Sequence, residues 1–66
     1  MLRVNELKGE IKRNGLTLAE TAKLIGISET TLWRKMKNNS FNLNEANALV
    51  RVLGIADPGH IFFGTD

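Results

Sequence analysis

With 66 residues the chain has room for one small domain, residues 1–66, and an apolar content of 42% is enough for a packed core. It has no cysteine and a single histidine, which excludes a disulfide staple and leaves too few ligands for a zinc site. A net charge of +2 is too small to identify a nucleic-acid partner by itself, so the placement of the charges has to carry that argument. No apolar run approaches the roughly 18 residues of a membrane span, and the N-terminus does not read as a signal peptide. A cytoplasmic protein with no membrane partner is expected.

Strand signals are missing, because β-branched residues are scattered and no period-2 alternation persists. Helix starts and stops recur instead. The first helix is expected from Val4 to Asn14, with Val4, Leu7 and Ile11 on one face and Gly9 lowering its propensity. Arg3 with Glu6 and Glu10 with Arg13 are opposite charges at i,i+3, whereas Lys8 and Lys12 are like charges at i,i+4. These charges read as a solvated face. Asn14 and Gly15 tolerate positive φ and end the helix.

Thr17 and Glu20 form a capping box that opens the second helix, whose inner face is Leu18, Ala22 and Ile25 with Leu24 alongside. Gly26 stops it, and after a three-residue turn Ser28 caps the third helix. Leu32 and Met36 give that helix its apolar stripe, and it ends near Asn38, Asn39 and Ser40. Asn42 and Glu45 start a fourth helix, with Leu43, Ala46, Leu49, Val50 and Leu53 as its apolar face and Gly54 as its stop. Asp57 followed by Pro58 starts a short fifth turn that holds His60, Ile61 and Phe62 before Gly64. His60 reads as a capped surface residue. Phe62 and Phe63 are adjacent, so one should seal the core while the other feeds a dimer contact. The expected architecture is an all-α bundle of five helices. Its core is expected to comprise Leu7, Ile11, Leu18, Ala22, Ile25, Ile27, Leu32, Met36, Leu43, Ala46, Leu49, Val50 and Leu53.

The spacing inside residues 17–37 is the most specific feature. Two helices that cross steeply over a tight turn need a small residue at the crossing, which Ala22 supplies. Four positions on they need a left-handed residue, Gly26, and then an apolar plug, Ile27. Leu32 holds the second helix of the pair down, which leaves Glu29, Thr30, Thr31, Trp33, Arg34 and Lys35 largely without core duties.

The pattern Thr17-x-x-Glu20-x-Ala22-x-x-x-Gly26-Ile27-Ser28-x-x-Thr31-Leu32-x-Arg34 resembles the helix-turn-helix of Cro and lambda-repressor-type regulators. Leu43 to Leu53 and the residues up to Phe63 are similar to the last two helices of small phage-type repressors. Gly26 to Met36 is also similar to the helix-turn-helix of Fis and NtrC-type activators, a group without two such following helices and therefore ranked second.

The repressor resemblance implies a compact five-helix lambda-repressor-like bundle that binds double-stranded DNA with its third helix in the major groove. Ser28, Glu29, Thr30 and Arg34 match positions that reach base edges or nearby phosphates, and the Arg34 fork suits guanine O6 and N7. Thr30 and Thr31 would touch a thymine methyl or a phosphate. Glu29 would accept from cytosine N4 but would repel phosphates. The second-helix cap at Thr17 and Leu18 would offer N–H groups to a phosphate, and Lys35, Lys37, Asn38 and Asn39 would follow the backbone on the far side. Trp33 has three readings, against sugar and phosphate, against a partner, or at the core edge, with packing the foremost.

A homodimer on DNA is expected to use the late helices and the region Ile61 to Phe63, since the domain leaves no room for a separate oligomerisation or ligand-binding unit. No small-molecule ligand and no cofactor are expected. The chain shows no acid–base pair or nucleophile constellation, so it does not read as an enzyme. The competing reading is a protein-interaction module, an antirepressor or antitoxin fragment gripping its partner through Trp33 and the phenylalanines.

Overall fold

The second, third and fourth helices each begin on a side-chain cap and end on a left-handed residue. The computed structural model describes residues 2–63, apart from the side chain of Phe63. Five helices follow in order: α1 (Val4–Arg13), α2 (Leu18–Ile25), α3 (Glu29–Asn38), α4 (Leu43–Leu53) and α5 (Pro58–Phe63). No strand occurs among the described residues, and the fold is all-α. None of these helices is long and apolar enough to cross a membrane.

The caps follow the residue chemistry. Thr17 Oγ1 accepts from the Glu20 N–H at 3.1 Å, and Glu20 Oε1 accepts from the Thr17 N–H at 2.9 Å, a complete capping box. Asn42 and Glu45 repeat it at the start of α4, at 2.8 and 3.0 Å. Asp57 Oδ1 accepts from the His60 N–H at 3.2 Å, with Pro58 at the first helical position.

The helix ends share one device. A residue with positive φ turns the chain back, and the next residue donates to a carbonyl five positions earlier. Leu16 bonds to Ile11, Ile27 to Ala22, Ser40 to Lys35 and Ile55 to Val50, all at 2.9–3.1 Å. Three of these four returning residues, Leu16, Ile27 and Ile55, are apolar, so those three stops also bring a side chain to the core. α1 closes at Arg13, one residue before the expected end, and Asn14 bridges its last turn to the Leu53 carbonyl at 2.9 Å. Thus the ends of α1 and α4 are tied directly.

Leu7, Leu32 and Leu49 are fully buried, joined by Ile11, Ala22, Met36, Leu53, Ile55, Ile61 and Phe62. Full burial of one such leucine contributes about 1.5–3 kcal/mol, so three of them outweigh any single surface contact. Leu18, Ile25, Ile27, Ala46 and Val50 pack around this centre half-buried. One expected core residue is misplaced. Leu43 is 74% exposed, because as the first residue of α4 it lies beyond the edge of the core that Ala46, Leu49 and Leu53 meet.

The first and last described segments meet. The Arg3 N–H donates to the Ile61 carbonyl at 2.7 Å and Leu2 is buried, so α5 packs beside α1. Glu10 pairs with Arg13 as the spacing predicts. Glu6, however, is joined across helices to His60 Nε2 at 2.6 Å, which makes His60 a link between α1 and α5. Ile61 and Phe62 are buried within the domain and leave no free apolar surface for a dimer. That corrects the expected dimer contact for these two residues, and the Phe63 side chain lies outside the described residues.

Candidate nucleic-acid interface

The geometry of α2 and α3 is set by the turn between them. Gly26 adopts φ 83 and ψ 24, a left-handed conformation that costs an L-residue with a Cβ roughly 1–2 kcal/mol. Its N–H donates to the Lys23 carbonyl at 3.2 Å while Ile27 returns to Ala22 at 2.9 Å. Ala22, 1% exposed, is the small residue on the inner side of this crossing, and Thr21 beside it is fully buried. Thr21 satisfies its hydroxyl by donating to the Thr17 carbonyl at 2.9 Å.

Leu32 and Met36 anchor α3, at 0% and 2% exposure. A helix pinned on that side presents its opposite side outward. Thr30, Arg34 and Lys37 follow one another at i, i+4 and i+7 on that side, all exposed, with Asn38 next to them. This row is a ridge of donors on a rigid element, the form that suits a major groove.

The other candidates divide by what already occupies them. Ser28 caps α3, accepting from the Thr31 N–H at 3.1 Å and donating to Thr31 Oγ1 at 2.8 Å. Ser28 is exposed and Thr31 half-buried, so this pair shapes the helix start first. Thr17 is exposed but its side chain closes the α2 capping box. Glu29 is exposed in the first turn of α3, where a carboxylate complements the helix dipole. Asn39, at φ 51, is the left-handed stop of α3.

Lys35 departs furthest from expectation. Its ammonium donates to Glu45 Oε1 on α4 at 2.9 Å, and the pair is largely withdrawn from solvent. The Asn42 N–H and the Lys35 ammonium hold the Glu45 carboxyl below its ordinary value. Lys35 therefore braces α3 against α4, and Glu45, readable from sequence only as a capping residue, positions the exposed ridge. No local pattern joins two residues ten apart on different helices.

Trp33 is 49% exposed and does not seal the core edge as expected. Lys37 Nζ lies 5.1 Å from its ring centroid, a cation–π contact on the flank of α3.

Residues 11–38 match the family model for bacterial regulatory proteins of the Fis family. The match takes in the end of α1, all of α2, the turn and α3. It supports a DNA-binding helix-turn-helix of the bacterial regulator kind, and does not specify the Cro and lambda-repressor type. The matched family is the second of the two groups that Gly26 to Met36 resembles. No curated protein and no solved structure matches the chain.

Proposed function

We propose that this chain is a sequence-specific transcriptional regulator of the Cro and repressor type, binding duplex DNA as a homodimer with α3 in the major groove. The outward row of Thr30, Arg34 and Lys37, held by Leu32 and Met36 beneath it, carries this reading. Arg34 takes a guanine by its two-pronged fork, Thr30 lies one turn nearer the helix start for a base edge or methyl, and Lys37 takes a phosphate. Ser28 and Thr17 act mainly as caps whose backbone lies close to the phosphates, Thr31 braces the Ser28 cap, and Asn38 follows the strand beyond Lys37. The helices α4 and α5, which complete the core around α1 and α2, favour the repressor type over a three-helix activator module.

A protein-interaction module on the same scaffold is the second reading, favoured by the exposed Leu24, Trp33 and Leu43. Selection of bound duplexes from a random pool separates the two. A regulator enriches one sequence, a dimer enriches a palindrome with half-sites about one DNA turn apart, and affinity falls steeply with salt. Arg34→Ala should then weaken the selected site by about 1–3 kcal/mol and relax one base position. A pool that returns no preferred sequence, with Arg34→Ala indistinguishable from the parent, would sink the regulator reading.

A further inference from the structure

The charges of α1 are sorted by side. Lys8 and Lys12 border the groove that also contains Ile11, Leu16 and Leu18, at the start of α2. Glu6, Glu10 and Arg13 line the opposite cleft, facing Asp57 and His60 at α5. Neither Lys8 nor Lys12 has an ion-pair partner among the described residues, and as like charges at i,i+4 they repel each other. A merely solvated face has no need of this separation.

Lys8 also lines a second groove, of about 330 Å³, between α1 and α3. Its other walls are Val4, Trp33, Met36 and Lys37. The floor is apolar, one wall is an indole 49% exposed, and the rim carries two ammonium groups and no carboxylate. Glu29 lies in a separate depression with Thr30 and Trp33, so the indole ring stands between that carboxylate and the lysines. The groove opens on the flank of the helix whose outer face bears Arg34.

We propose that this groove seats the sugar–phosphate backbone of a DNA strand bordering the major groove, a proposal that rests on the DNA-binding reading above. Lys8 and Lys37 take phosphates, and the open side of the Trp33 ring packs on a deoxyribose. A bare cation pair would attract phosphate without shape. An apolar floor beside an aromatic wall suits the sugar, and the two lysines suit the anions on either side of it. Lys12 continues the basic edge toward the start of α2. By this account α1 is part of the interface rather than scaffold only, and it contributes affinity without base preference.

The chain has one tryptophan and no tyrosine, so its intrinsic fluorescence reports Trp33 alone. The full chain is titrated with an unlabelled mixed-sequence duplex for tryptophan emission, and with the same duplex end-labelled for anisotropy. Binding should quench or shift the emission and protect the indole from acrylamide. Lys8→Gln should weaken binding several-fold and reduce the slope of log K against log salt by about 0.9. Arg51→Gln, exposed on α4, should change neither. Trp33→Leu should weaken binding about five-fold or more, and Lys8→Gln carries the test where that variant fails to fold. If the duplex binds while emission, acrylamide access and the Lys8→Gln slope all stay at parent values, the groove proposal is overturned and the DNA-binding reading survives. If the parent chain binds no duplex by anisotropy at low salt, both fall.

Discussion

Lys35 on α3 and Glu45 on α4 meet at 2.9 Å, and the same carboxylate accepts from the Asn42 N–H at 3.0 Å. One side chain thus closes the first turn of α4 and ties it to the helix that carries Arg34. Replacing it by glutamine keeps an acceptor for the cap and removes the charge. Glu45→Gln should lower stability by about 1 kcal/mol, the upper range for a lone ion pair, because this one is sheltered and fixed by its cap. Lys35→Gln should cost somewhat less, since the ionised Glu45 carboxylate still accepts from the Asn42 N–H. Urea midpoints of the two single variants and the double variant measure the coupling, and fully additive losses would show that the bridge does not hold the helices.

The same bond makes stability depend on acid. Hydrogen bonding to Asn42 and to Lys35 lowers the folded-state value of Glu45 from the ordinary 4.5. A carboxyl that ionises more easily when folded stabilises the fold above its unfolded-state value, and that contribution disappears as pH falls through the lower folded-state value. The stability gap between the parent chain and Glu45→Gln should therefore be full at neutral pH and close progressively below about pH 4.5. A gap that stayed constant through that acid range would contradict the assignment.

Two glycines should respond to alanine with opposite sign. Gly26 sits at φ 83 with open space where a Cβ would go, so Gly26→Ala meets no neighbour and suffers only backbone strain, about 1–2 kcal/mol. Gly9 lies inside α1 with equally open space and ordinary helical backbone. Gly9→Ala should raise stability by about 0.5–1 kcal/mol. Thermal melts of both variants provide the check.

Much of this architecture is legible because its determinants are local. Thr17 with Glu20, Ser28, and Asn42 with Glu45 act over three residues, so sequence alone places three of the helix starts. Ile27 is recognisable as a plug because it follows Gly26. The same rule applied to Leu16 after Gly15 and to Ile55 after Gly54 finds two further packed residues that helical periodicity passes over. Leu2 and Phe41 are harder, since they lie outside any helix and pack only because the chain ends and the α3–α4 connection fold inward. The role of Lys35 is harder still. On a helical wheel it reads as a cation on the flank of α3, and only the approach of α4 converts it into a brace.

Leu43 and Leu49 test how far periodicity can be trusted within one helix. Both fit the apolar face of α4, yet Leu43 is 74% exposed and Leu49 is fully buried. Leu49→Ala should cost about 2–5 kcal/mol through lost burial and a cavity. Leu43→Gln should stay within about 0.5 kcal/mol of the parent, as a surface change does. A large loss for Leu43→Gln would mean that its side chain is covered, by a second copy or by a rearranged α4.

Phe41 and Phe62 meet edge to face, with ring centroids 6.1 Å apart and planes at 90°. Phe41 lies in the connection before α4 and Phe62 in α5, so this contact joins the last helix to the segment leaving α3. α5 is only one or two turns long and cannot hold its shape without such packing. Perpendicular rings at this distance add about 0.5–1.5 kcal/mol beyond the area they bury. Phe41→Leu and Phe62→Leu should each destabilise, Phe62→Leu more because it is the more deeply buried. Their double variant should lose less than the sum of the two, by roughly that coupling energy. Strict additivity would mean that the two rings act independently, and that α5 is held by Ile61 and the Arg3 hydrogen bond instead.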